Sequence, residues 1–219
     1  MFLFNEKKCA DICLKNTNKY VFKAVNDLIS DFERVSTFGV KPKIVKNVTQ
    51  NCIIIEENTR TSAEPVADES YSITTENGNI VIRADGYLGT MWGIYTLSEK
   101  FLDVDPCYLF NDLAIVKKNA VELSEVDIAD KPDGFGFRGV FINDEDLLQG
   151  WKDGGGARLV GGGYYYVTVA KTVIEKVVET VLRLKLNLVI PATFIDLDNP
   201  PEKDLADAVA ERGIYLSQH

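Results

Sequence analysis

The sequence predicts an α+β domain followed by α/β units, and two observations lead there. Up to about residue 125 the order is strand, helix, strands, hairpin, helix, which lays helices on a sheet. From about 126, apolar strand-like runs alternate with long helical patterns as βα-βα-β, which predicts parallel pairing with right-handed crossovers. The expected domains are therefore 1–125 and 126–219.

The first domain opens with a short strand over Ala10 to Leu14. A helix follows from Asn18 to Phe38. Tyr20-Val21, Ala24-Val25, Leu28-Ile29 and Phe32 recur at helical spacing and make one apolar stripe. Asn18 is the expected N-cap, and Gly39 with Pro42 marks the stop. Lys43 to Val45 and Cys52 to Ile55 read as strands, the β-branched Ile53-Ile54-Ile55 suiting a pleated sheet. Asn77-Gly78 is a hairpin signal, because both central residues of a type I′ turn need positive φ. A helix from Tyr87 to Phe101 carries Leu88, Met91, Trp92, Tyr95 and Leu102 mostly on one side. Trp92 and Tyr95 are expected to be core, since aromatic residues at helical spacing pack against sheets more often than they bind ligands. Nothing in this half looks catalytic.

The second half is organised around Phe137-Arg138-Gly139-Val140-Phe141-Ile142-Asn143-Asp144-Glu145. The run is apolar, as in a strand covered on both faces, and then turns acidic through Asp146. Acids at the carboxyl end of a buried strand are where α/β enzymes place chemistry. The plainer alternative is a solvated loop. Arg138, Val140, Ile142 and Asp144 share one strand parity, Asn143 and Glu145 the other, so only one set faces a barrel interior. Gln149 to Gly163, with Gly-Gly-Gly at 154–156 and 161–163, reads as a mobile loop. It lacks both phosphate-binding glycine patterns, which argues against nucleotide binding. A long helix is expected over Tyr164 to Lys185, a strand over Leu186 to Ala192, turn residues at Asp198 to Pro201, a helix over Glu202 to Arg212 capped by Gly213, and a third strand from Ile214. A (β/α)8 barrel takes about 250 residues, and only about 80 follow Arg138. The expectation is the first two to three βα units of a truncated barrel, with an open strand edge that a larger protein or a second copy of the chain would cover.

Composition narrows the function. Hydrophobic residues make up 46% of 219, enough for a real core. A net charge of -9 disfavours nucleic acid as a partner. The single histidine, His219, rules out histidine-built metal sites and Ser-His-Asp or Cys-His chemistry that does not use it. No metal and no cofactor are expected. Cys9, Cys13, Cys52 and Cys107 have no CxxC spacing and read as buried free thiols. No apolar run suggests a signal peptide or a membrane span, so no membrane partner is expected and the compartment stays open.

Asp85-Gly-Tyr-Leu-Gly-Thr-Met-Trp-Gly-Ile-Tyr95 with Leu97-Ser98-Glu99 resembles the end of the non-catalytic N-terminal domain of glycoside hydrolases such as hexosaminidases and α-glucuronidases. Arg138-Gly-Val-Phe-Ile-Asn-Asp-Glu145 resembles the first barrel strand of glycoside hydrolase family 115, the xylan α-1,2-glucuronidases. Val181 to Ala192 is similar to that family's second strand and preceding helix, and Gly213-Ile with Ser217-Gln-His219 to the entry into its third. The resemblance implies an inverting hydrolase that removes glucuronic or 4-O-methylglucuronic acid from xylan-derived oligosaccharides. It implies that Asn143, Asp144 and Glu145 line the mouth, that Arg138 contacts the anionic sugar, and that His219 lies just past strand three. The main catalytic acids would lie on strands outside this chain, so the chain would be an inactive N-terminal fragment. Phe194 and the glycine-rich 149–163 segment depart from the family pattern and leave the substrate class open. The rival readings are a non-catalytic carbohydrate- or protein-binding module, and a complete small hydrolase or transferase using Asp144 and Glu145.

Overall fold

The computed structural model describes residues 1–58, 69–131, 135–143, 148–151, 153–159 and 167–218. The chain divides into two compact units, Met1–Gly136 and Phe137–His219.

In the first unit the strands are β1 (Phe2–Phe4), β2 (Asp11–Lys15), β3 (Ile44–Val45), β4 (Cys52–Asn58), β5 (Tyr71–Glu76), β6 (Asn79–Asp85), β7 (Val121–Glu122) and β8 (Asp127–Asp130). Six of them form a mixed sheet in the order β3-β2-β4-β6-β5-β8. The β3-β2, β2-β4 and β4-β6 pairs are parallel, and β5 runs antiparallel to both β6 and β8. The β5–β6 hairpin turns at Asn77 and Gly78, with φ of 49° and 74°, the left-handed pair its sequence predicts. By sequence β8 falls in the second domain. In the structure Ile128 pairs with Ile73 in the first sheet, which moves the division from 125/126 to 136/137. The β1–β7 pair has no signature in the sequence, because three-residue Phe2–Phe4 is too short to show a period.

Helix α1 (Val21–Val35) buries Val21, Ala24, Val25, Leu28 and Phe32 of the predicted stripe, and Val35 beyond it, while Tyr20 and Ile29 are half-buried. Its N-cap is Tyr20, not Asn18. Asn18 makes a turn one step earlier, its Oδ1 accepting from the Tyr20 N–H at 3.2 Å and its carbonyl from the Val21 N–H at 3.1 Å. Helix α2 (Tyr87–Leu97) is buried on nearly every side and passes into a π-type turn at Ser98–Leu102, ended by Asp103 at φ 56°. Trp92 and Tyr95 are core, as expected. Tyr95 donates to Asp27 at 2.7 Å and Ser98 to the buried Asp31 at 2.6 Å, tying α2 to α1. Ile53, Ile55, Ile73, Ile80 and Ile82 are fully buried, each contributing about 1.5–3 kcal/mol. The glycines of the Gly-Tyr-Leu-Gly-Thr-Met-Trp-Gly run permit close helix–sheet contact. A Cβ on Gly93 would stand 2.6 Å from Ile82 Cγ2, and one on Gly89 2.8 Å from the Ser70 carbonyl oxygen.

The four cysteines are free; Cys13 and Cys52 are buried, and Cys9 and Cys107 half-buried. Burial pushes the Cys9 thiol up to about 12.

In the second unit the strands are β9 (Gly139–Phe141), β10 (Gly156–Ala157), β11 (Val167–Thr168), β12 (Leu188–Ile190) and β13 (Tyr215–Leu216), with helices α3 (Lys171–Arg183) and α4 (Pro200–Ala210). The predicted parallel βα-βα-β order is present: β9, β12 and β13 form a parallel sheet with β12 central. The helix expected from Tyr164 starts at Lys171, because β-branched Val167-Thr168 pairs as a strand with Gly156-Ala157. The turn expected at Asp198–Pro201 gives way to helix at Pro200, where prolines fit the first helical positions, having no N–H to leave unpaired. Gly213 follows α4 at φ 71°, in keeping with its predicted role. Among the described residues no helix is long and apolar enough to cross a membrane.

Candidate functional site

Parallel pairing collects the carboxyl ends of β9, β12 and β13 at one end of the second unit's sheet. The register is Leu188 with Gly139, Val189 with Val140, and Ile190 with Phe141; on the other side Leu188 meets Tyr215 and Val189 meets Leu216. The Ile142 N–H continues the ladder to the Ile190 carbonyl at 2.8 Å, and the Ser217 N–H reaches the Val189 carbonyl at 3.2 Å. At this end the chain emerges as Asn143, as Pro191 to Ile195, and as Ser217-Gln218. Gln218 Nε2 donates to the Ile195 carbonyl at 3.1 Å, joining two of the three exits. Asn143 is exposed there. Asp144, Glu145 and His219 lie outside the described residues.

Burial alternates along β9. Val140 and Ile142 are half-buried, while Gly139, Phe141 and Asn143 are exposed. Val189, the partner of Val140, is fully buried. One face of the sheet is therefore covered, and Asn143 belongs to the other by alternation. The sequence predicts β9 covered on both faces. Phe141 remains 38% exposed, because β9 is the outer strand of this sheet and only one of its faces is covered.

Arg138 is at the opposite end. It precedes Gly139 at the amino end of β9, and its N–H donates to Asn187 Oδ1 at 2.9 Å. Its carbonyl accepts from the Asn187 N–H at 2.8 Å, and the Asn187 carbonyl accepts from the Tyr215 N–H at 2.8 Å. Buried Asn187 thus stitches the amino ends of all three strands. Five residues of strand span about 17 Å, which sets Arg138 apart from Asn143; the Arg138 Nε donates to the Lys185 carbonyl at 3.4 Å.

Sequence reasoning missed a buried polar cluster built from the exits of β9 and β12. Arg158 Nε meets Glu202 Oε1 at 3.0 Å, with side-chain exposures of 0% and 1%. Arg158 also donates to the Phe194 carbonyl. Asn199 Nδ2 donates to Glu202 Oε2 at 2.8 Å and to the Ala157 carbonyl at 3.0 Å. Glu202 sits in the first turn of α4, where a carboxylate is favoured by the helix dipole. The cluster locks the segment after β9 to the segment after β12. The first glycine triplet belongs to this packed structure and not to a mobile loop. The Gly155 N–H donates to the Thr168 carbonyl at 2.6 Å, and a Cβ there would stand 2.4 Å from the Val169 carbonyl oxygen. The second triplet lies outside the described residues. The only signal for the cluster in the sequence is an arginine within a glycine-rich run, which does not specify a partner.

Among the described residues no group of three or more His, Cys, Asp or Glu could hold a metal ion. Asn143 is an exposed amide, a group that can both donate and accept hydrogen bonds. Glycosidic hydrolysis would need two carboxyl groups across a bond.

Residues 130–219 match the family model described as Glycosyl hydrolase family 115. The match contains β9, β12, β13 and the whole polar cluster. Solved structures agree on the fold. One is a family GH115 4-O-methyl-alpha-glucuronidase with specificity for decorated arabinogalactans: TM-score 0.73, 22% identity, 96% of this chain and 29% of that one. Another is the Flavobacterium johnsoniae chitobiase of family GH20, with TM-score 0.62, 16% identity, 98% of this chain and 31% of that one. A third is a GH138 enzyme targeting pectin rhamnogalacturonan II, with TM-score 0.58, 14% identity, 95% of this chain and 24% of that one. The chain thus spans less than a third of the length of these structures. Comparison with curated protein sequences gives no match.

Proposed function

We propose that this chain supplies the non-catalytic domain and the opening βα units of a family 115-type glycoside hydrolase barrel, which removes glucuronic or 4-O-methylglucuronic acid from a plant polysaccharide. The observation that carries the reading is the parallel β9-β12-β13 sheet within the matched segment, whose first strand leads into Asn143-Asp144-Glu145. Asn143 is on the uncovered face, so we assign sugar contact first to Asn143 and Glu145, the set of its parity, and a supporting role to Asp144. His219 follows the exit of β13 and is assigned to the same rim. Xylan is the expected backbone from the family resemblance, and arabinogalactan is the alternative raised by the relative's specificity.

Inversion needs an acid and a base with room for a water between them. A carboxylate on one strand exit cannot fill both roles, so the 219-residue chain alone is proposed to be inactive. The test is to incubate the chain, and separately the protein as its gene encodes it, with aldouronic acids and with glucuronic-acid-bearing arabinogalactan. Released uronic acid is followed by proton NMR. The reading expects no release by the chain and release of the inverted anomer by the gene product. Hydrolysis by the chain alone would overturn the inactivity. Absence of any uronic acid release by the gene product would favour the binding-module reading.

A further inference from the structure

We propose that the first unit carries a separate binding groove for an anionic oligosaccharide, formed where the amino ends of β2, β4 and β6 meet their preceding loops. A cavity of about 870 Å³ opens there, bounded by the Lys7–Asp11 segment, Val40 to Lys43, Thr49 to Asn51 and the Asn77-Gly78 hairpin tip. Ligand sites commonly measure about 300–1,000 Å³, and this volume far exceeds what a single small anion fills.

The charge is the second observation. The chain carries -9 overall, yet four lysines, Lys7, Lys8, Lys41 and Lys43, line this cavity, with Asp11 as the acid among the lining residues. Lys7 pairs with Glu6 at 3.5 Å and Lys41 with Glu33 at 3.3 Å. Lys8 and Lys43 make no ion pair among the described residues, and both are exposed. A cationic concavity on an acidic chain concentrates anions locally. The lysines come from two separate segments of the lining, Lys7 and Lys8 from one and Lys41 and Lys43 from the other.

The walls are held in place. Asn5 Oδ1 accepts from the Lys7 and Lys8 N–H groups, each at 3.0 Å, which fixes the turn that presents them. Asn51, at φ 64°, accepts from the Phe2 N–H at 2.9 Å. Thr49, Gln50 and Asn77 add neutral hydrogen-bonding groups suited to hydroxyls. An extended ligand with several hydroxyls and spaced carboxylates matches this lining; a compact phosphate does not. That the carboxylates are uronic acids rests on the proposed function. The groove, however, is independent of the barrel chemistry, and its test does not read hydrolysis.

The test is calorimetric titration of the 219-residue chain with aldouronic acid, with neutral xylo-oligosaccharide of equal length, and with inorganic phosphate. The expected result is that the acidic sugar binds at least about tenfold more tightly than either of the others. Lys8→Gln with Lys43→Gln should weaken it about tenfold, the scale of losing two exposed charge contacts, and about 0.5 M salt should weaken it similarly. Amide shifts in the unsubstituted chain should move at Lys8, Lys43, Asn51 and Gly78. Equal affinity for acidic and neutral sugars, phosphate binding as tight as the sugar, or shifts confined to other residues would each overturn the proposal. A barrel without hydrolytic activity would leave these results unchanged.

Discussion

Removing one partner of the Arg158–Glu202 pair should destabilise the second unit strongly. The two groups are 3.0 Å apart and essentially without solvent. At an effective dielectric of about 20 their attraction is about 5 kcal/mol, and desolvation offsets most of that. The net worth of the pair is therefore small, but the cost of stranding one charge is about 3–5 kcal/mol. Arg158→Met strands the Glu202 carboxylate, with Asn199 Nδ2 still donating to it at 2.8 Å. Glu202→Gln keeps a hydrogen-bond acceptor but strands the guanidinium. We expect losses of about 3–5 and 2–4 kcal/mol respectively. The double variant Arg158→Met/Glu202→Gln removes both charges and should regain at least about 2 kcal/mol of the summed losses. Urea unfolding, followed by a probe in the second unit such as Trp151 fluorescence, reads these differences. If each single substitution cost less than about 0.5 kcal/mol, the typical change at an exposed site, or if the losses simply added, the pair would not be the lock between the two strand exits.

Other consequences are smaller. Gly93→Ala should cost about 1–3 kcal/mol, the usual range for overpacking, because its Cβ would meet Ile82 Cγ2 at 2.6 Å; thermal melting checks this, and an unchanged melting temperature would refute the close approach. The Arg83 guanidinium holds the Glu76 carboxyl down at about 2, while Lys15, and then Arg83, hold Glu56 below the usual carboxylate range. Their contribution is present above the unfolded carboxylate value and is lost as pH falls from about 4.5 toward 2, so the melting difference between the unsubstituted chain and Arg83→Met should be present at pH 7 and vanish near pH 2. A difference that stayed constant would contradict it. Burial holds the Cys9 thiol at about 12, so Cys9 should resist alkylation at pH 8 in the folded chain and react after denaturation; rapid native labelling would argue against that burial.

The elements legible in the sequence are those with a strong local period. The α1 stripe, the Asn77-Gly78 turn and the βα-βα-β alternation each encode their structure within a few residues, and each is present. The failures come where distant partners decide. Strand β8 has an ordinary sequence, and only its pairing with β5 assigns it to the first sheet. Val167-Thr168 reads as helix because the valines beyond it continue at helical spacing, and its pairing with Gly156-Ala157 is invisible locally. At the site, the sequence singles out the β9 exit but does not show that Arg138 stands at the other end of the strand, bonded to Asn187. The two ends of a strand are adjacent in sequence and far apart in space. The Arg158–Glu202 cluster links residues 44 positions apart, a distance no spacing rule covers.

The central claim is that the exit of β9 delivers sugar-handling groups to a glycosidase mouth. Its most direct measurement is the rate of uronic acid release by the gene product carrying Glu145→Gln, Asp144→Asn or Asn143→Ala, on the oligosaccharide it cleaves best. The account predicts a loss of at least about a hundredfold for Glu145→Gln, the scale of removing an acid–base or charge-stabilising group, with smaller losses for the other two. Full activity in all three variants would contradict it.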